Sequence, residues 1–210
     1  MSVKNKDKNT VTLQIVTMGN AGVGKSSIIK RYISDIFDNN SLSTIGVEFS
    51  IKEMILKNGK KIKLKLIDTG SQELYRSLSK SYFKNSDGVL FVFALNNEQS
   101  FTDISEWINF FNENCFRDNI PKYLIGNKCD LDSHVNQALI NEVANNNDMK
   151  YFKTSAKEKI NINNIFEEMG EKLYEEYKKS GRENNLQLKS IKKPKKKTCG
   201  CGQVEGSLLF

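Results

Sequence analysis

The chain has 210 residues, 38% of them hydrophobic and 27% charged, with a formal net charge of +7. That length suits one domain of ordinary size with flexible ends, and the hydrophobic share is enough for a core. Nine of the 32 Lys/Arg fall between Lys178 and Thr198 beside one acid, while residues 1–177 hold 23 basic and 23 acidic side chains, so the body is neutral and the charge argues against a nucleic-acid-binding body.

The start, MSVKNKDKNT, is polar and unlike a secretory signal, and no apolar run approaches the roughly 20 residues of a membrane span. Four cysteines, Cys115, Cys129, Cys199 and Cys201, lack zinc-type spacing with the lone His134, so a cytosolic, reduced protein without structural disulfides is expected. VTLQIVTM (11–18) alternates and then fills in, as a partly buried strand does. GNAGVGKSS follows it: Gly19, Asn20, Ala21, Gly22, Val23, Gly24, Lys25, Ser26 and Ser27 satisfy G-x-x-x-x-G-K-S between a strand and a helix. The glycines let consecutive N–H groups turn inward on an anion, and the helix points its positive end at the same place. Lys25 then reaches the β- and γ-phosphates of a nucleoside triphosphate, and the Ser26 hydroxyl can ligate Mg²⁺.

IIKRYISDI (28–36) has apolar residues at helical spacing. GVEFSIKEMIL and KIKLKLI read as two strands joined at Asn58-Gly59, a hairpin signal. GVLFVFAL (88–95) is apolar throughout, as in a strand covered on both faces. Phe101, Ile104, Trp107, Ile108 and Phe111 step along a helix and are read as core. YLIG (123–126) is a short buried strand, KYFKTS (150–155) a last strand, and Ile162, Ile165, Phe166, Met169, Leu173 and Tyr177 mark a final helix. The Asn-rich stretches NNND and NINN are read as surface loops. The alternation predicts an α/β fold: a doubly wound, mostly parallel six-stranded sheet with one antiparallel edge strand and helices on both faces. Residues 1–10 are expected to be a flexible N-terminus, 11–179 the folded domain and 180–210 a basic tail.

YLIGNKCDL places Asn127, Lys128 and Asp130 at the end of a buried strand, where open α/β sheets bind ligands. An Asp carboxylate there accepts from guanine N1–H and N2–H₂, a donor pair adenine lacks. TSAK (154–157) follows the last strand. With the phosphate loop, N-K-x-D and S-A-K in this order and spacing, residues 11 to 177 resemble the small GTPases of the Ras superfamily, whose P-loop NTPase G domain is the fold implied. STIGVEF (43–49), LYRSL (74–78) and YFKNSDGVLFVF (82–93) resemble Rab elements.

The resemblance implies roles by position. Phe37 stacks on guanine; its other reading is a core aromatic ending the first helix. Thr44 and Asp68 join Ser26 at Mg²⁺, Ser155, Ala156 and Lys157 sit at the base with Ala156 offering its N–H to O6, and Gln72 orients the attacking water. Residues 37–49 and 68–82 would meet an exchange factor, a GTPase-activating protein and effectors, with Ile45, Gly46, Phe49, Ile67 and Tyr82 as the effector surface. Ile67 stands where the Rab family carries Trp, which removes an aromatic anchor. DTGSQE (68–73) departs from D-T-A-G-Q-E at Gly70 and Ser71. The Cβ of Ser71 narrows a backbone that must offer its N–H to the γ-phosphate, Gly70 relieving part of that strain. Slow hydrolysis is expected, and the double change Gly70→Ala/Ser71→Gly is expected to raise it. The alternative to a cycling switch is a slow or non-hydrolysing GTP-bound scaffold.

KKPKKKTCGC resembles the prenylated Cys-x-Cys endings of Rab proteins, implying two geranylgeranyl chains on Cys199 and Cys201, a prenyl-binding chaperone, and a monomer on the cytosolic face of an intracellular membrane. The alternative for the lysines is a solvated charge run. Nine residues follow Cys201, and SLLF supplies no C-a-a-X box.

Overall fold

The apolar runs become strands and the amphipathic runs become helices in a computed structural model that describes residues 10–39, 44, 46–70, 82–117 and 119–182. Strands β1 (Val11–Met18), β2 (Val47–Ile55), β3 (Lys61–Thr69), β4 (Gly88–Ala94), β5 (Lys122–Asn127) and β6 (Lys150–Lys153) form a sheet in the order β2-β3-β1-β4-β5-β6. All neighbours are parallel except β2 and β3, so the expected antiparallel edge strand is β2. Helices are α1 (Lys25–Ser34), α2 (Glu98–Thr102), α3 (Ile104–Asn114), α4 (Gln137–Asn146) and α5 (Ile162–Lys179). None of the described helices is long and apolar enough to cross a membrane. The chain divides into two compact units, residues 1–176 and 177–210; of the second, residues 177–182 are described, and they carry the last residues of α5.

Every residue of β4 is buried, which explains its unbroken apolar run. One face of the sheet packs Phe91, Phe93 and Leu124 against Trp107, Ile108 and Phe111 of α3 and Ile140 and Ala144 of α4. On α5, Ile162, Ile165, Phe166 and Met169 are fully buried, and Phe166 stacks on Tyr32 of α1 with ring centroids 4.0 Å apart. Each large side chain so buried contributes about 1.5–3 kcal/mol.

Several boundaries differ from expectation. The hairpin connection is longer than an Asn-Gly pair: Leu56 to Lys60 form it, closed by Leu56 N–H to Lys60 O at 2.9 Å. The helix expected through Phe101–Phe111 breaks at Asp103, into α2 and α3. The pattern reading passed over α4, whose N-terminus is capped by Asn136 accepting from the Ala138 N–H at 2.8 Å. The Asn-rich stretches are not simply loops either, since Asn145 and Asn146 end α4 and Ile162–Asn164 begin α5.

Candidate nucleotide-binding site

β1 lies between β3 and β4, so the strand order reverses beside it, and the carboxyl ends of the parallel strands β1, β3, β5 and β6 lie at the same end of the sheet, where open α/β sheets bind ligands. The loop from Gly19 to Gly24 carries positive φ at Gly19, Gly22 and Gly24. Gly24 is required twice. Its φ is +101°, and a Cβ there would lie 2.2 Å from Asn127 Nδ2. Helix α1 starts at Lys25 with no side-chain cap, so its first N–H groups are available to an anion.

The Lys25 ammonium donates to the carbonyls of Gly19 and Asn20, each at 2.8 Å. It is only 6% exposed. Burial lowers its pKa to about 8, against a pull upward from the Asp68 carboxylate. Ser26 Oγ and Thr44 Oγ1 are 2.6 Å apart, and Thr44 Oγ1 is 3.5 Å from Asp68 Oδ2. Burial raises the Asp68 pKa, opposed by a hydrogen bond to Ser26 and by Lys25. These three residues, assigned to Mg²⁺ from sequence, thus come together from α1, the segment before β2 and the end of β3. Two hydroxyls and a carboxylate are hard oxygen donors, and they fit a Mg²⁺ that takes its other ligands from phosphate and water. The described residues hold no group of three His, Cys, Asp or Glu suited to a softer metal.

At the other end, Asn127 is 2% exposed and uses both ends of its carboxamide. Nδ2 donates to Val23 O at 2.9 Å, while Oδ1 accepts from Ala156 N–H at 3.2 Å and Thr154 Oγ1 at 3.3 Å. Asn127 therefore joins the phosphate loop to the S-A-K loop. The Ala156 N–H, expected to face guanine O6, is engaged by this side chain. Asp130 Oδ1 accepts from Ser155 Oγ at 2.5 Å, and that hydroxyl accepts from Glu158 N–H at 3.0 Å. Asp130 is exposed. Lys128 has φ +63° and is half-buried beside it. Phe37 lies beyond the end of α1 and is half-buried, which removes the core-aromatic reading.

Arg31 was not singled out from sequence. From the last turn of α1 it donates to Ala156 O at 2.8 Å and Lys157 O at 2.6 Å, and its guanidinium lies 5.8 Å from the Phe37 ring centroid. One side chain thus braces the S-A-K loop and the aromatic. The available signal was a basic residue near a helix C-terminus, where it also complements the dipole.

On the surface expected from sequence to meet effectors, Phe49 is 63% exposed and Tyr82 half-buried, with Lys65 Nζ 5.3 Å and 6.0 Å from their ring centroids. Ile67, expected on this surface, is fully buried in the core and presents nothing to a partner. Gly46 has φ +82°, and its carbonyl accepts from Gly70 N–H at 2.8 Å. A Cβ on Gly70 would lie 2.8 Å from both Gly46 O and Thr44 O. In this arrangement the space that Ala would need at position 70 is taken by backbone, which weighs against the Gly70→Ala half of the double change. Ile45, Ser71, Gln72, Cys199 and Cys201 lie outside the described residues.

The model of the Ras family matches residues 14–175. The chain is 30% identical to the Ras-related protein Rab-3 of Caenorhabditis elegans over 198 residues, covering 90% of each chain. It is 32% identical to Rab-18-B of Danio rerio over 200 residues, 92% of this chain and 96% of that one. To Rab-8 of Diplobatis ommata it is 33% identical over 188 residues, 88% of this chain and 89% of the other.

Proposed function

The chain belongs to the Ras family, with Rab proteins among its relatives, and from that premise we propose that it is a switch that binds GTP with Mg²⁺, hydrolyses it to GDP and regulates vesicle traffic at a membrane surface. The observation that carries this reading is the placement of Asn127, bonded to Val23 of the phosphate loop and Ala156 of the base loop. A phosphate cradle alone takes any nucleotide; tied to a guanine-reading carboxylate at Asp130, it takes GTP and GDP.

In this reading the Gly19–Ser27 backbone and Lys25 hold the phosphates. Ser26, Thr44 and Asp68 hold Mg²⁺, which neutralises phosphate charge. Phe37 covers one face of the base, and Ser155 orients Asp130 toward its edge. Gln72 places the attacking water. Loss of the γ-phosphate releases residues 37–47 and 68–80, which changes what exchange factors, activating proteins and effectors meet around Gly46, Phe49 and Tyr82. Cys199 and Cys201, doubly prenylated and accompanied by a prenyl-binding chaperone in transit, tether a monomer to the cytosolic face of a membrane.

Nucleotide extracted from the purified full chain, followed by single-turnover hydrolysis, tests this. Bound guanine nucleotide and measurable phosphate release are expected; adenine nucleotide, or none, overturns it. The Gly46–Gly70 contact favours a second reading, a slowly hydrolysing GTP-bound scaffold, because it pulls the segment carrying Thr44 toward Asp68 by backbone alone. Tight GTP binding with no detectable phosphate release selects that reading.

A further inference from the structure

Asn20 is the second residue of the Gly19–Ser27 loop, and its side chain bonds to residues outside that loop. Nδ2 donates to Asp103 Oδ2 at 2.6 Å, and Oδ1 accepts from the Trp107 indole N–H at 2.7 Å. Asp103 lies at the break between α2 and α3, with Gln99 Nε2 on its other oxygen at 2.6 Å. Trp107 is 7% exposed, in the core under α3. The backbone carbonyl of Asn20 is one of the two that receive Lys25. The carboxamide is thus held at both ends from a different layer of the fold, and the residue so held sets one of the two acceptors of the phosphate-binding ammonium.

We propose that Trp107 and Asp103 are positioning residues of the phosphate loop, acting through Asn20 to fix where Lys25 points. This rests on the guanine-nucleotide reading above. It also accounts for the break at Asp103, because a helix running straight through would not turn this carboxylate into the loop's anchor. Removing the clamp leaves a buried indole N–H and a half-buried carboxylate without the partner they share, a loss felt at the loop and not spread through the core.

The test uses the full chain and a fluorescent GDP. Wild-type binding comes first, since its failure would sink the function and not single out the clamp. Asn20→Ala and Trp107→Phe, the latter keeping an aromatic ring and losing the N–H, are expected to release GDP about five- to tenfold faster. Asn20→Asp sets two carboxylates at hydrogen-bond distance, which ionise together only at a cost. Asn20's charged contacts are Asp103 and Lys25. Release from Asn20→Asp should therefore accelerate with rising pH more steeply than wild type does. The swap Asn20→Asp/Asp103→Asn reverses one donor–acceptor pair, keeps the indole bond, and should restore the slow release and the pH profile of wild type. Trp107 is the single tryptophan, so its indole N–H gives one resonance in a ¹⁵N spectrum. That resonance should titrate in Asn20→Asp and return to the wild-type position in the swap. GDP release unchanged in all variants, or a folded swap variant that stays fast, overturns the proposal.

Discussion

Gly70 donates its N–H to the carbonyl of Gly46 at 2.8 Å, extending the β2–β3 pairing one step beyond Val47 and Thr69 toward the Ser26–Thr44–Asp68 cluster. A methyl at position 70 meets two backbone oxygens. Gly70→Ala is therefore expected to open this seam, at about 1–3 kcal/mol, and to weaken Mg²⁺-dependent GTP binding more than GDP binding. Ser71→Gly alone should speed single-turnover hydrolysis, and adding Gly70→Ala should cancel the gain. A faster double variant would show that the seam is not used during turnover.

Arg31→Ala frees the carbonyls of Ala156 and Lys157 together. Stopped-flow release of GDP should become about tenfold faster, consistent with two lost charge-assisted hydrogen bonds partly replaced by water. Arg31→Lys should recover less than half of the loss, because a point ammonium cannot bridge both carbonyls as the planar fork does.

Lys25 has its pKa lowered from 10.5 to about 8 by burial. Between these values the unfolded chain binds more protons than the folded one, so this component of stability is missing below pH 8 and is gained as pH rises toward 10.5. Stripped of nucleotide, Lys25→Met should be more stable than wild type at pH 7, by up to about 3 kcal/mol, with the advantage shrinking over that window in urea titrations. Phosphate beside Lys25 favours its charged form, so GDP binding near pH 8.5 should take up protons, read by calorimetry in buffers of different ionisation enthalpy. No buffer dependence would remove Lys25 from the phosphates.

Asp130→Asn exchanges two acceptor oxygens for one acceptor and one donor. Guanine nucleotides should weaken on the order of a hundredfold by calorimetry, and xanthine nucleotides should gain. Equal GTP affinity in wild type and variant would refute the base assignment.

For the tail, Cys199→Ser/Cys201→Ser should move the protein from the membrane fraction to the soluble fraction of expressing cells. Deleting residues 202–210 should leave it on membranes. An intact mass with two free thiols on cell-derived protein would rule out the lipid anchor.

The strands were legible because burial leaves an apolar run in each, and the phosphate-loop, N-K-x-D and S-A-K motifs could be placed at their ends because each follows such a run directly. Helix α4 was not, since its buried positions, Ile140 and Ala144, are sparse among asparagines. The break at Asp103 left the apolar spacing around it intact, so periodicity ran through it. Arg31 with Ala156 and Asn20 with Trp107 are 125 and 87 residues apart, and nothing in a spacing rule reports such pairs. Ile67 could be seen to lack an aromatic ring, yet its complete withdrawal into the core depends on the packing of β3.

Asn127 gives the two halves of the crevice a common strut, and binding free energy should not divide cleanly between them. If the proposed function holds, pyrophosphate on the Val23 side would stiffen the same carboxamide that the base side needs, so each fragment would prepay part of the ordering of the other. Guanosine and pyrophosphate added together should bind with positive cooperativity, and by reciprocity each should raise the other's affinity by one and the same factor. Asn127→Ala would lower that factor toward unity, leaving a chain that still recognises each fragment but has lost the connection between them.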